Sequence, residues 1–262
     1  MKILILGAGK MGSFFCDLLS FDHDVAIYDC RPERLRFVYN CRRFADASEA
    51  SDFAPDMVIN AATVKYTLQA FQDILPYVPE DAILSDIASV KRGLPEFYSS
   101  AGHPFVSTHP MFGPTFASLS NLANENAIII NEGSPEGIDF FRKLYGKLKL
   151  HVEEYSFREH DRTIAYSLSV PFASTLVFGS AMKPQPAPGT TFKRHMAIAK
   201  GLMGEDDYLL SEILFNPDSI EQLDRIRASL DYLRKIVADR DSSAMAEYLA
   251  KVRSNIREEN VL

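Results

Sequence analysis

The chain has 262 residues, of which 47% are hydrophobic and 24% charged, and its formal net charge is −7. This length is enough for one large domain or two ordinary ones, and the composition is typical of a folded globular protein. A chain this acidic lacks the basic face of a nucleic-acid binder and is a poor match for an anionic membrane surface. We therefore expect neither nucleic acid nor a membrane as a partner.

The three cysteines, Cys16, Cys30 and Cys41, show neither CxxC nor Cys/His metal spacing. Disulfides and a metal site are therefore not expected, which fits a cytoplasmic protein. The N-terminal apolar run, residues 3–6, is too short for the core of a signal peptide. No segment approaches 18 apolar residues, so no membrane-spanning helix is predicted.

Short apolar runs alternate with amphipathic stretches through the first half of the chain. The predicted strands are residues 2–6, 24–28, 42–44 (weak), 56–61, 82–86, 104–108 and 127–131. They are continuously apolar, which indicates a parallel sheet covered on both faces. The helix-like stretches between them predict an α/β domain of the Rossmann type, with a doubly wound parallel sheet.

The pattern changes after about residue 153. An apolar-periodic stretch at 159–183 is followed by a loop at 183–191 that contains three prolines. Helical patterns follow at 191–203, 205–215, 219–238 and 241–257. We therefore predict a dinucleotide-binding domain over 1–153 and an all-helical domain over 154–262.

A glycine-rich motif, "GAGKMG", follows the first predicted strand and opens a predicted helix. In this context Gly7 permits the tight turn, Gly9 lets a pyrophosphate approach the backbone, and Gly12 lets helix and strand pack closely. The helix N-terminus offers free N–H groups to the phosphates. The motif predicts dinucleotide binding by these glycines together with Lys10 and Met11; the alternative is a βαβ unit without a ligand.

An acidic residue, Asp29, ends the second predicted strand. A carboxylate there binds both hydroxyls of an adenosine ribose and repels a 2′-phosphate, which favours NAD over NADP. Arg31 lies two residues further on and softens that preference. The small residues Ala61, Ala62 and Thr63, after the fourth strand, suit contact with the same dinucleotide.

Two polar residues, Ser89 and His109, follow the fifth and sixth predicted strands. Ligands of open α/β sheets bind beyond the carboxyl ends of the strands, so both should face one crevice near the nicotinamide. Ser89 also suits the N-cap of a helix beginning at "SVKRGLPEF", and the two roles are compatible. We expect Lys91 to be a solvated lysine in the first turn of that helix.

The other five histidines fall into two groups. His23, His103 and His151 lie beside strand edges and resemble ordinary surface residues. His160 and His195 lie in the helical half and stay open as candidates for the site.

The stretches "GAGKMG", "SDIASVK", "STHPMFGP" and "EHDRTIAYSLSVPF" follow one another in the order and spacing of the prephenate/arogenate dehydrogenase family. The chain resembles this family over nearly its whole length, and the serine before Val-Lys and the H-P-M-x-G element are the most specific parts. The resemblance implies NAD-dependent oxidative decarboxylation of prephenate to 4-hydroxyphenylpyruvate in tyrosine biosynthesis. It also implies a homodimer joined through the helical domains, which the excess apolar surface of 159–183 supports.

The reaction implied by the resemblance needs orientation and one proton acceptor, because gain of aromaticity drives the loss of carbon dioxide. Carried over to this chain, His109 accepts a hydrogen bond, and then the proton, from the ring hydroxyl. A neutral imidazole suits that role near neutral pH. Ser89 would hold the imidazole and the hydroxyl in line.

The chain departs from the family at the substrate's side chain. A "SHLPH"-like stretch of many members is "LSVPF" here, so Ser169 and Phe172 replace two histidines. Ser169 is kept as a candidate substrate contact, and inhibition by tyrosine is not implied for this chain.

The family also uses an arginine of the helical domain to anchor a substrate carboxylate, and the matching stretch here is "TTFKRHMAIAKG". Arg194, His195 and Lys200 are the candidates nearby, although His195 and Lys200 are five apart and point to different sides of a helix. The alternative is a solvated charged face. A buried substrate carboxylate nevertheless needs a cation.

Two other functions stay open. One is arogenate dehydrogenase, or a related two-domain NAD(P)-dependent oxidoreductase. The other is a catalytically silent NAD-sensing regulator, which would keep the glycine motif and Asp29 but need neither Ser89 nor His109.

Overall fold

The computed structural model describes residues 1–113 and 122–258. Pro114, the last residue of the stretch "STHPMFGP", lies outside the described residues. The chain divides into two compact units, Met1–Arg162 and Thr163–Leu262. The first unit extends past the predicted boundary at residue 153, because it includes an additional strand and the beginning of the helix that follows it.

The first unit is built on one eight-stranded sheet with the order β3-β2-β1-β4-β5-β6-β7-β8. Strands β1 to β6 are parallel, β7 runs antiparallel to β6, and β8 is parallel to β7. The strands are β1 (Lys2–Leu6), β2 (Asp24–Tyr28), β3 (Arg42–Phe44), β4 (Met57–Asn60), β5 (Ile83–Asp86), β6 (Phe105–Pro110), β7 (Asn126–Ile130) and β8 (His151–Tyr155).

All seven predicted strands are present, and β8 is an eighth that the sequence did not predict. Its sequence, "HVEEY", has no continuous apolar run, because as an edge strand it has no fully buried residue. The reversed direction of β7 was not predicted either. Its residues are as apolar as those of the parallel strands, so the continuous apolar pattern that is typical of parallel strands did not distinguish it.

Helices cover both faces of the sheet, as the apolar strands predicted. Their bounds are α1 (Lys10–Leu19), α2 (Glu49–Phe53), α3 (Thr67–Ile74), α4 (Leu94–Ala101), α5 (Pro135–Lys147) and α6 (Phe157–Ser167). One apolar layer includes Phe15 of α1 and Phe141 of α5. The other includes Phe71 of α3 and Tyr98 of α4, so strand residues such as Ile5 are fully buried.

The strand order reverses between β1 and β4, where the loop after β1 meets the loop after β4. Gly7 has a φ of +95°, and a Cβ added to it would lie 3.1 Å from the Ala61 carbonyl oxygen. A Cβ on Gly12 would lie 1.8 Å from the Gly7 carbonyl oxygen, whereas a Cβ on Gly9 would meet no atom within 4 Å. Glycine is therefore required at position 7 by its positive φ and at position 12 by packing, and space is left open at Gly9.

The second unit is helical. After the end of α6 it contains α7 (Ser169–Ala181), α8 (Thr190–Leu202), α9 (Asp207–Leu214), α10 (Ser219–Asp239) and α11 (Ser242–Glu258). These helices agree with the predicted stretches, except that the single helix predicted at 159–183 is divided at Leu168. Pro171 explains the division, because it lacks an N–H and its ring crowds the carbonyl four residues earlier.

One helical run, Phe157–Ala181, is long and apolar enough to cross a membrane, judged by length and composition among the described residues. It consists of α6 and α7, and 22% of its apolar window is buried within this chain. The prediction that the chain has no membrane-spanning helix is therefore not confirmed. A single run of this kind is a weak indication, because the core helix of a soluble protein passes the same test.

Gly12→Ala tests the packing of α1 against the β1 loop. Because the added methyl would overlap the Gly7 carbonyl oxygen, we expect the free energy of unfolding to fall by about 2–3 kcal/mol. Gly9→Ala is the control; its methyl meets open space, and we expect a loss of at most about 1 kcal/mol from the weaker helix cap. Urea denaturation measures both, and equal losses would contradict this account.

Candidate active site

The carboxyl ends of β5 and β6 bring the candidate catalytic residues to one edge of the sheet. Asp86 ends β5 and lies opposite Ser107 of β6, two residues before His109. His109 is itself a strand residue, paired with Ile128 of β7. It is only 6% exposed, so the histidine expected in a loop is held by the sheet.

A buried ion pair joins β5 to β6 beneath this edge. Lys91 Nζ donates to Asp86 Oδ2 at 2.6 Å and to the Thr108 carbonyl oxygen at 2.7 Å. The Tyr98 hydroxyl donates to the other carboxylate oxygen, Asp86 Oδ1, at 2.7 Å. The expectation that Lys91 is solvated is wrong: its side chain is 0% exposed. Lys91 instead holds the peptide that immediately precedes His109.

Burial determines the protonation of the groups around this pair. Burial lowers the pKa of Lys91, and the neighbouring Asp86 carboxylate opposes that shift. Burial, with a contribution from Asp86, raises the pKa of Tyr98 well above its usual range. Tyr98 therefore donates its hydrogen bond to Asp86 as a neutral phenol at neutral pH.

A second histidine, His160, lies against His109. The distance from His109 Nδ1 to His160 Nε2 is 3.0 Å, and His160 Nδ1 lies 3.1 Å from Asp161 Oδ1. His160 is fully buried, whereas the Asp161 side chain is 41% exposed. The sequence left His160 open as a candidate, and its signal was the His-Asp pair in "EHDRTIAYSLSVPF".

Both imidazoles are held in the neutral form. Burial lowers the pKa of His109 well below its usual 6.5, and His160 and the Lys91 ammonium lower it further. Burial also lowers the pKa of His160 and outweighs the hydrogen bond to Asp161, which raises it. A neutral imidazole has one nitrogen with a free lone pair, so His109 can accept a hydrogen bond from a hydroxyl at neutral pH.

Ser89 lies half-buried in the loop after β5. Its predicted role as a helix N-cap is wrong, because α4 begins at Leu94 after Gly93. The loop turns there, since Gly93 has a φ of +77°. Within the described part of the chain the Ser89 hydroxyl has no hydrogen-bond partner, so a contact with His109 stays a prediction.

The dinucleotide motif is pre-formed at the switch point of the sheet. Asp29 accepts hydrogen bonds from the backbone N–H groups of Ala8 and Arg31, each at 2.8 Å. Each of its carboxylate oxygens keeps a second lone pair for a ligand hydroxyl. Gly9 is the N-cap residue of α1, which has no side-chain cap and no acid in its first turn. These residues fit a dinucleotide, since the open space at Gly9 adjoins a helix N-terminus.

The remaining predicted contacts of the dinucleotide border the same switch point. Lys10 is exposed, and Met11 packs partly against the core. Asn60, which the sequence did not single out, organises the loop after β4. It accepts from the Ala62 N–H at 3.0 Å and donates to the Thr67 carbonyl oxygen at 2.8 Å. The Thr63 carbonyl oxygen accepts from the Tyr66 N–H at 2.8 Å, so hydrogen bonds within the chain hold both ends of this loop.

The candidate substrate anchors of the helical unit have different surroundings. Arg194, His195 and Lys200 are all exposed on α8, and His195 Nδ1 lies 3.1 Å from the Thr191 carbonyl oxygen. Ser169 is fully buried. Its hydroxyl is bonded to the Ile213 carbonyl oxygen at 3.2 Å and to the Ser219 hydroxyl at 2.7 Å. Ser169 therefore joins α7 to α9 and α10, and its hydroxyl is not open to a substrate in this structure.

Comparison with known proteins matches residues 20–149 to the family model described as prephenate dehydrogenase, nucleotide-binding domain. The T-protein of Haemophilus influenzae is 21% identical over 264 residues, which cover 96% of this chain and 66% of that relative. Prephenate dehydrogenase from Aquifex aeolicus, solved in complex with hydroxyphenyl propionate and NAD+, has a TM-score of 0.84 at 21% identity, with 98% of each chain covered. Synechocystis arogenate dehydrogenase has a TM-score of 0.76 at 18% identity, with 100% of each chain covered.

This chain belongs to the prephenate/arogenate dehydrogenase family. It spans between 41% and 66% of the length of the curated relatives that it matches. At these identities the solved structures show the fold alone. They confirm the predicted class, a Rossmann-type sheet domain followed by helices.

Lys91→Met tests the buried ion pair. It leaves the Asp86 carboxylate buried without its cation, and we expect the free energy of unfolding to fall by about 3–5 kcal/mol. The double variant Asp86→Asn/Lys91→Met should be more stable than Lys91→Met, because no charge stays buried.

The control is Lys143→Met, which removes an exposed pair with Asp139 and should change the free energy of unfolding by less than about 1 kcal/mol. Urea denaturation followed by circular dichroism measures all three variants. If Lys91→Met is as stable as the control, the pair does not support the site.

Proposed function

We propose that this member of the family is an NAD-dependent prephenate dehydrogenase, which converts prephenate to 4-hydroxyphenylpyruvate in tyrosine biosynthesis. The observation that carries the proposal is His109. It is buried and uncharged at the carboxyl end of β6, on the edge of the sheet where the dinucleotide loops also lie. A group that must accept one proton from a substrate hydroxyl has these properties.

The cofactor proposed is NAD, which supplies the hydride acceptor when bound. Gly7, Gly9 and Gly12, with the backbone of Lys10 and Met11, would hold the pyrophosphate at the start of α1. Asp29 would bind the adenosine ribose, and Arg31 borders that site. Ala61, Ala62 and Thr63 would line the other wall. Binding of NAD+ by the Aquifex aeolicus enzyme supports this assignment.

The chain's own residues supply positioning and a proton acceptor. His109 Nδ1 is bonded to His160, so Nε2 is the nitrogen left for the substrate hydroxyl. The hydroxyl proton would pass to Nε2, and the hydride would pass from the same carbon to bound NAD. The ring carboxylate then leaves as carbon dioxide, its electron pair makes the ring aromatic, and the phenolate oxygen takes up a proton to give 4-hydroxyphenylpyruvate. Lys91 keeps the preceding peptide in place, and Ser89 is proposed to orient the hydroxyl. The buried surroundings exclude water, so the hydrogen bond to the imidazole does not compete with solvent.

The substrate carries two carboxylates, and each needs a positive partner. Lys91 is not available, because Asp86 and the Thr108 carbonyl oxygen occupy its ammonium. We propose that Arg194, His195 and Lys200 of α8 are the candidate substrate contacts, and that the Arg194 guanidinium or the Lys200 ammonium supplies the cation, which their exposure permits. The proposal includes a cytoplasmic homodimer joined through the helical units, with no membrane and no nucleic acid as partner. The exposed apolar residues of α7, such as Val177, support the dimer.

Arogenate is the second candidate substrate. The chain has the fold of Synechocystis arogenate dehydrogenase over its full length, and it lacks the two histidines that many family members carry at Ser169 and Phe172. Arogenate has an amino acid side chain in place of the pyruvyl group, so the choice depends on the groups that contact that side chain.

Formation of NADH with each substrate distinguishes these possibilities. We expect kcat/KM for prephenate to exceed kcat/KM for arogenate. A preference for arogenate would overturn the substrate assignment within the same chemistry. NAD binding without turnover of either substrate would indicate the regulator instead.

His109→Asn tests the proton acceptor. We expect kcat to fall by about 100-fold or more, because a general base is lost. The Kd for NAD should stay within about twofold of its original value, because His109 is not a predicted contact of the dinucleotide. His103→Asn, in a half-buried histidine whose Nδ1 lies 3.2 Å from the Ala82 carbonyl oxygen, is the control and should retain turnover. Unchanged turnover in His109→Asn would remove His109 from the mechanism.

A further inference from the structure

We propose that Asp161 and His160 form a relay that fixes the tautomer of His109, so that His109 Nε2 carries the lone pair facing the substrate. Both are positioning residues, because they act through His109. The inference rests on the proposed function for its purpose, since an acceptor at Nε2 serves the abstraction of the hydroxyl proton. The positions of the two imidazole hydrogens, on His109 and His160, do not depend on any substrate.

The relay starts at the carboxylate. An ionised carboxylate accepts hydrogen bonds and donates none. Asp161 Oδ1 lies 3.1 Å from His160 Nδ1, so this nitrogen must carry the hydrogen. In a neutral imidazole the other nitrogen, His160 Nε2, then has the lone pair.

The second link transfers this constraint to His109. His160 Nε2 lies 3.0 Å from His109 Nδ1, and as the acceptor of that pair it requires the hydrogen on His109 Nδ1. His109 Nε2 is left with the free lone pair. In the opposite pair of tautomers, each histidine would carry its hydrogen on Nε2. The lone pair of His160 Nδ1 would then face the Asp161 carboxylate, which is repulsive. His109 Nε2 would be a hydrogen-bond donor and could not accept a proton.

The beginning of α6 holds the relay in position. The Ser156 N–H donates to Glu159 Oε2 at 2.7 Å, and the Glu159 N–H donates to the Ser156 hydroxyl at 3.2 Å. This reciprocal pair is a capping box, which fixes the first turn of a helix. Phe157 is buried in the same turn. His160 follows directly. The capping box and the buried Phe157 side chain fix this turn, and the turn therefore fixes the His160 ring beside His109.

The charges around the two rings favour the neutral relay. Lys91 faces both histidines with a positive charge, and Asp161 and Asp86 face His160 with negative ones. The Lys91 ammonium disfavours a second cation, so the resting pair stays uncharged. When His109 takes up a proton, the new positive charge is connected through His160 to the Asp161 carboxylate, which stabilises it.

The tautomers are measured directly by two-dimensional ¹H–¹⁵N NMR of the full chain with labelled histidine, without substrate. We expect both His109 and His160 to carry hydrogen on Nδ1 and a lone pair on Nε2. Assignment comes from the loss of each signal in His109→Asn and His160→Gln. A hydrogen on His109 Nε2 in the unmodified protein would overturn the relay.

Asp161→Ala provides the second variant, since Asp161 is partly exposed and its loss is tolerated better than a change at buried His160. We expect the His109 signals to become a mixture of tautomers, with kcat reduced on the order of 10-fold or more and KM changed little, because the base is populated less often in its active form. Arg158→Ala, at an exposed position of the same helical turn, is the control and should change neither readout.

The two proposals fail in different ways. If Asp161→Ala leaves the His109 tautomer unchanged, the relay is wrong whatever the enzyme catalyses. If the tautomers behave as expected but neither prephenate nor arogenate is oxidised, the relay stands and the proposed function is wrong.

Discussion

The candidate site depends on one interaction, the buried ion pair between Asp86 and Lys91. Its two charges sit where no water can solvate them, so each requires the other. The pair also links three pieces of chain, because the Lys91 ammonium bonds the Thr108 carbonyl oxygen and the Asp86 carboxylate accepts from Tyr98. Fixing the end of β6 in this way fixes the backbone of His109. The positive charge of the same lysine then helps to keep the neighbouring imidazoles uncharged.

Local sequence patterns predicted most of the fold. The apolar runs predicted seven of the eight strands, and the glycine spacing predicted a contact that the structure contains, the Gly12 Cα against the Gly7 carbonyl oxygen. Strand β8 was not predicted because, as an edge strand, it has no continuous run of buried apolar residues. The break between α6 and α7 at Leu168 was not predicted, because the helical periodicity continues across it. Pro171 was the signal in the sequence that could have indicated the break.

Only the part of the site that lies at the ends of neighbouring strands could be predicted from the sequence. His109 and the loop after β5 follow from the rule that parallel strands end together. Lys91 was misread as solvated because no local pattern reveals that an acid five residues earlier points at the same buried space. The contact of His160 with His109 spans 51 positions of the chain. It depends on where α6 begins, which tertiary structure alone determines.

The position of His109 within a strand has a consequence for how such an enzyme changes substrate. A histidine whose backbone pairs with β7 on one side of the sheet cannot move with a loop, so its chemistry is insulated from sequence change elsewhere. The polar groups proposed to hold the rest of the substrate belong to α8, on the surface of another unit, where substitutions cost little stability. Under the proposed roles, divergence between prephenate and arogenate proceeds on the helices while His109, the proposed proton acceptor, is kept.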